Sequence, residues 1–139
     1  MDYKKLLEFR NNSPGLAKEL GLNVTEVSKG YAKIEMELDE RHANPIGSIH
    51  GGAIFTLADT VGGVAATSHG SFVTTVTGSI NYLNPAINVK KLIADTRELK
   101  AGKNILVYDV TVRDENDQVI AEARMTYYSL HKPFEVAAD

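Results

Sequence analysis

Between His42 and Val89 the chain carries a single residue among Asp, Glu, Lys and Arg, and that residue is Asp59. A stretch so poor in charge is a candidate for burial, and its middle, residues 51–70, has about the length of a membrane span. Its composition argues against one. Gly51, Gly52, Thr56, Thr60, Gly62, Gly63, Thr67 and Ser68 dilute the hydrophobicity well below that of a spanning segment. The segment reads instead as one buried helix of a soluble protein.

Around that helix the hydrophobic period is two. Ala32, Ile34, Met36 and Leu38 alternate with Lys33, Glu35 and Glu37, which predicts a strand with one wet face. Ser28-Lys29-Gly30 suits a tight turn, so residues 22–27 and 31–38 should form a hairpin. Ser13 as N-cap and Pro14 at the first helical position predict a short helix over 15–20 closed by Gly21, with a further turn around 6–9. Asn44-Pro45 and Gly47-Ser48 mark an ordered loop before the apolar helix. Residues 72–83 are rich in β-branched side chains and end at Asn84-Pro85. Strands over 91–99, 105–113 and 119–130 follow, separated by Ala101-Gly102-Lys103-Asn104 and Asp114-Glu115-Asn116-Asp117. The tail, 133–139, should be frayed.

The expected fold is therefore α+β: about six antiparallel strands, the last four in a meander, wrapped around one long central helix. A length of 139 residues fits a single domain, 1–139, with its core over about 14–131. Leu106, Tyr108, Val110 and Val112 point one way and Ile105 and Val107 the other, so the last strands are apolar on both faces. A sheet edge or face of this kind is normally covered by a partner, which predicts at least a dimer.

Composition removes several functions. The net charge of −3 argues against a nucleic-acid footprint and an anionic membrane surface. The absence of cysteine excludes disulfides, thiolate metal sites and cysteine nucleophiles. Met1-Asp2-Tyr3-Lys4-Lys5 leads into mixed polar sequence without a targeting pattern, so the expected location is the cytoplasm.

Asp59 demands an explanation, because a lone carboxylate in an apolar helix is costly to bury unless it is hydrogen-bonded or stays protonated. It is either a structural Asp bonded to Thr56 or Thr60, or a general base or nucleophile. His50-Gly51-Gly52 at the helix start is the second feature. The first N–H groups of a helix lack intrahelical partners and carry the positive end of its dipole, and glycine lets a ligand come close. These residues either form an oxyanion hole or only ease a tight turn, with His50 as a cap. The eight positions from Gly51 to Asp59 span about 12 Å at helical rise. If both act on one bond, they should come from different subunits, giving two sites per dimer. Gly62 and Gly63 would fit close approach of a second backbone or helix.

Asn44-x-x-Gly47-x-x-His50-Gly51-Gly52, Asp59 seven residues further on, and the strand end Asn81-Tyr82-Leu83-Asn84-Pro85-Ala86 together resemble the hotdog-fold acyl-CoA thioesterases. The likeness is strongest to the PaaI-like group of phenylacetate degradation, and it spans residues 14–130. The resemblance implies that the Gly51 N–H binds the thioester carbonyl, with His50 and Asn44 positioning substrate or water. It implies that Asp59 of the neighbouring subunit activates water or attacks directly, assisted by a strand hydroxyl, Thr75 first and Thr74 or Thr77 as alternatives. Gly52, Phe55, Tyr82, Lys100 and Lys103 become candidate substrate-binding residues, the last three for coenzyme A. A tetramer of two dimers is the implied assembly.

A thioester is already activated, so a positioned water and a polarised carbonyl suffice; no metal or organic cofactor is expected, coenzyme A being part of substrate and product. No Gly-x-Ser-x-Gly elbow, Gly-x-x-x-x-Gly-Lys loop or His-Glu-x-x-His helix occurs. The alternatives are a hotdog acyl-thioester dehydratase using His50 and Asp59, or an acyl-CoA-binding sensor module. His42, His50 and Asp59 have metal-ligand chemistry but no recognisable ligand spacing. Ile54, Phe55, Leu57 and Val73 are apolar pocket candidates, suited to an aryl or medium-chain acyl group.

Overall fold

The apolar helix, α3 (Gly51–Thr67), is the axis of the molecule, a computed structural model in which residues 1–134 are described. Ala53, Ile54, Leu57, Ala58, Val61, Val64, Ala65 and Ala66 are all buried on it. Small residues dominate because α3 touches all six strands and is enclosed by the sheet. Leu57 has no exposed surface, and truncating such a side chain costs about 2–5 kcal/mol. No helix among the described residues is long and apolar enough to cross a membrane.

The sheet comprises β1 (Leu22–Ser28), β2 (Tyr31–Glu37), β3 (Ser71–Tyr82), β4 (Lys91–Ala101), β5 (Ile105–Asp114) and β6 (Val119–Pro133). All neighbours are antiparallel, in the order β1-β2-β4-β5-β6-β3. This is the hotdog arrangement expected from the sequence. The hairpin β1–β2 forms as the alternation requires, with Ala32, Ile34 and Met36 fully buried against α3.

The four-strand meander needs correction. Only β4-β5-β6 form one; β3 bypasses β4 and pairs with β6 at the far edge. Its residues 74–79 are all exposed, so a long edge strand lies open, in contrast to the buried inward residues of β5.

The amino terminus also differs from expectation. α1 (Tyr3–Asn12) is capped by Asp2, which accepts from the Lys5 N–H at 3.1 Å, and α2 (Leu16–Glu19) has only four residues. Ser13 ends α1 instead of starting a helix. Its hydroxyl donates to the Phe9 carbonyl at 2.6 Å, and Pro14 pushes Ser13 into extended backbone. Gly15, not Ser13, stands at the cap of α2, with Gly21 at φ 77° closing that segment as expected. Leu6 has no exposed surface, so the core reaches back beyond residue 14. Phe9, Phe72 and Phe134 stack edge to face, and Pro133 belongs to β6. The expected frayed tail is thus ordered at 133–134, and its remainder, 135–139, lies outside the described residues.

Candidate active site

Asp59 sits half-buried on α3 and faces β3 and β6. The Thr75 hydroxyl donates to its Oδ1 at 2.8 Å. From β6, the Tyr127 hydroxyl donates to the Asp59 carbonyl at 2.7 Å and lies 3.3 Å from Oδ1. Neither Thr56 nor Thr60 holds the carboxylate; the Thr56 hydroxyl instead donates back to the Gly52 carbonyl. Oδ2 takes no hydrogen bond among the described residues. One oxygen is therefore anchored and the other is without a partner among the described residues, on a side chain that lines a cavity.

Of the three threonines only Thr75 bonds to Asp59 among the described residues, and an irregularity in β3 places it there. The β3–β6 register shifts between Thr75 and Thr77, which breaks the strict alternation of faces. Thr75 turns in towards Asp59, while Thr77 lines an outer groove with Ser79, Asn81, Asp109 and Arg124. Thr74 stands opposite Tyr128 in the ladder.

Tyr127 was not anticipated. Burial, reinforced by the negative charge of Asp59, pushes its phenol far above the usual range, so it stays a donor. Gly62 exists for it: a Cβ there would run into the Tyr127 hydroxyl. The mid-helix glycine thus admits a side chain, not a second backbone, and Gly63 makes only ordinary contact with the same ring. The signal was present in β6, where Tyr127 continues the inward series Ala121, Ala123, Met125 and carries a hydroxyl that needs a partner once buried.

At the start of α3, His50 is the N-cap, its Nδ1 accepting from the Gly52 N–H at 2.7 Å. A Cβ on Gly52 would sit 2.9 Å from that nitrogen, so the glycine is what lets the imidazole fold over the helix end. The cap occupies the Gly52 N–H. The Gly51 N–H has no partner among the described residues, while the Gly51 carbonyl accepts from the Tyr82 hydroxyl at 2.8 Å. Gly51, Ile54 and Tyr82 share a cavity of about 300 Å³ with Leu83, Asn84 and Pro85.

Asn44 works within its own loop. Its Oδ1 accepts from the Ile46 and Ser48 N–H groups and its Nδ2 donates to the Ser48 hydroxyl at 2.7 Å. His42 is fully buried, with Nδ1 accepting from the Asp39 N–H at 3.0 Å and Nε2 lying 2.6 Å from the Leu20 carbonyl. Both ring nitrogens are engaged with backbone groups, so His42 shapes the loop into α3.

The Asp59 cavity has a volume of about 460 Å³ and lies between α1, β1 and α3, lined by Phe55, Thr56, Thr60, Leu22, Val24 and Arg10 among others. Phe55 is accommodated by Gly78, where a Cβ would come within 2.8 Å of the ring. Leu57 lies in the core and Val73 packs partly buried against it.

The sequence profile of the thioesterase superfamily matches residues 46–121, which include Gly51, Asp59 and Thr75. The chain belongs to the thioesterase superfamily. This thioester hydrolase is 30% identical to the acyl-coenzyme A thioesterase PaaI of Escherichia coli over 105 residues, 76% of this chain and 75% of that protein. It is 31% identical to mouse acyl-coenzyme A thioesterase 13 over 128 residues, 88% of this chain and 91% of that one. The E. coli PaaI structure superposes with a TM-score of 0.89 at 24% identity, covering 96% of both chains, a likeness of fold. A Streptococcus mutans protein crystallised with acetyl-CoA gives 0.78 at 32% identity, covering 82% of this chain and 92% of that one.

Within this superfamily member the expected residues fall into separate groups. Asp59, Thr75 and Phe55 come together, as do His50, Gly51, Gly52 and Tyr82, at the other end of eight helical residues. Lys100 and Lys103 are exposed at the β4–β5 turn, with no described contact to either group.

Proposed function

We propose that the protein hydrolyses acyl-CoA thioesters at sites built across a two-fold interface, the Gly51 N–H of one subunit meeting Asp59 of the other. The supporting observation is the pair of half-sites: a carboxylate with one oxygen anchored and one open, and an unpartnered N–H at a helix start, about 12 Å away along the same helix. The carbonyl oxygen accepts from the Gly51 N–H and feels the positive end of α3. Water gives a proton to Oδ2 of Asp59 and attacks the carbonyl carbon, forming a C–O bond. Collapse of the tetrahedral intermediate breaks the C–S bond, and the coenzyme A thiolate takes up the proton. Thr75 and Tyr127 keep the carboxylate aimed throughout.

The open β3 edge supports the dimer, since a twelve-residue strand with exposed backbone invites a second copy. Exposed Ile46, at 87%, on the loop before α3 is a further apolar surface for a partner to cover. Two such dimers would make the tetramer. The Asp59 cavity suits an aryl or medium-chain acyl group, and Lys100 and Lys103 remain candidates for the coenzyme A phosphates.

Thiol release from a panel of short-, medium- and long-chain, phenylacetyl and benzoyl CoA esters tests the reading. Asp59→Asn should lower hydrolysis by about 10² or more while the oligomer stays intact. Near-normal turnover in the variant would remove the mechanism.

A further inference from the structure

The protein has five arginines, and four are paired: Arg41 with Asp39, Arg97 with Glu122, Arg113 with Asp117 and Arg124 with Asp109. Arg10 is the exception. Among the described residues its side chain makes no hydrogen bond or ion pair, although it is half-buried and lines the Asp59 cavity. Burial draws its pKa down, while Asp59 and Tyr127 oppose that shift. A half-buried guanidinium whose donors are not taken up by the described residues, on the wall of a cavity, is a ready partner for an anionic group that enters it.

Arg10 is also held in place. The next residue, Asn11, clamps β1 by accepting from the Val24 N–H at 2.8 Å and donating to the Val24 carbonyl at 3.0 Å. On the other side, Phe9 is locked between Phe72 and Phe134, and Leu6 anchors the preceding turn in the core. The guanidinium is presented from a rigid helix, as a specificity determinant must be. The remaining wall is mixed: Asn11, Ser13, Thr56 and Thr60 are polar, while Leu16, Ala17, Leu22, Val24, Ile34 and Phe55 supply an apolar sleeve to the cavity that Arg10 shares with Asp59.

We infer that Arg10 selects acyl groups whose far end carries a carboxylate, that is, the monothioesters of dicarboxylic acids, with the methylene chain in the sleeve and the carboxylate on the guanidinium fork. The planar fork matches a carboxylate with two parallel hydrogen bonds, which a hydroxyl or a methyl end cannot reproduce. This inference rests on the thioesterase reading of the same site.

The test compares glutaryl-, adipyl- and suberyl-CoA with pentanoyl-, hexanoyl- and octanoyl-CoA. For at least one chain length the wild type should have a kcat/KM for the carboxylated ester about tenfold or more above its unsubstituted match, as a charge-assisted hydrogen bond would give. Arg10→Gln should bring that ratio to about one, and Arg10→Lys should retain part of it. A ratio at or below one at every length in the wild type would overturn the inference. So would an Arg10→Gln variant that loses activity on both members of each pair alike, since Arg10 would then act only through Asp59. Calorimetric binding of the same esters to Asp59→Asn keeps the two readings separable. Selective binding of the carboxylated esters without turnover in the wild type would uphold Arg10 and defeat the thioesterase proposal. Equal binding of both with normal turnover would do the reverse.

Discussion

The two ends of the central helix are finished in opposite ways. At the C-terminal end every group finds a partner inside the chain. The Ser68 N–H donates to the Val64 and Ala65 carbonyls, and its hydroxyl, also bonded to Ala65, accepts from the Gly30 N–H at 2.8 Å. His69 and Tyr108 both bond Glu98, at 2.6 and 2.7 Å, tying the helix end to β4 and β5. At the N-terminal end His50 and Gly52 are exposed, and the Gly51 N–H has no partner among the described residues. Polar groups closed on themselves stabilise a fold; a polar group held open on a rigid helix is available to a substrate. The comparison separates substitutions that should change rate from those that should change stability.

The largest effect after Asp59→Asn belongs to Thr75→Val. Losing the donor to Oδ1 frees the carboxylate to rotate, and kcat should fall by about tenfold with the melting temperature little changed. Parallel steady-state kinetics and thermal denaturation would check this, and a large stability loss would blur the distinction between the two ends. Ser68→Ala is the converse case. It orphans the buried Gly30 N–H, so stability to urea should drop by about 1–3 kcal/mol while kcat is unchanged.

The smallest effect is a pH dependence at the closed end. Burial pushes the Glu98 carboxyl up, but the hydrogen bonds from His69 and Tyr108 outweigh it and the net pKa is lowered. A lowered folded pKa contributes stability that is present above the unfolded value of about 4.3 and is lost as pH falls through the folded value. Melting temperatures of wild type and Glu98→Gln should therefore converge as pH drops below about 4. A constant gap down to pH 3 would show that Glu98 titrates normally.

Much of the architecture was legible because period two and one apolar helix leave few alternatives. Strand positions came from local alternation, but the pairing of β3 did not. Nothing in residues 71–82 says that they bond to β6 across the sheet and not to the next strand in sequence. Ser13-Pro14 misled because serine before proline ends a helix as readily as it starts one, and Leu6 and Phe9 were the better signal. At the site, Asp59 and His50-Gly51-Gly52 stood out because charge was absent around one and glycine concentrated in the other. Tyr127 and Arg10 were hidden by distance: one lies 68 residues after Asp59, the other 49 before it, and only the fold brings the first against Asp59 and the second to its cavity.

The central claim is that each site takes Gly51 from one subunit and Asp59 from the other, and mixed dimers test it directly. Gly51→Pro deletes the N–H at the first helical position, where proline is tolerated, and the extended backbone of His50 suits a residue before proline. Co-expressed with Asp59→Asn under two affinity tags, it should form heterodimers carrying one doubly altered and one intact site. Each variant alone should be nearly inactive, and random mixing should restore about a quarter of wild-type activity. If both groups belonged to one subunit's site, no dimer would contain an intact one, and the mixture would stay as inactive as its parents.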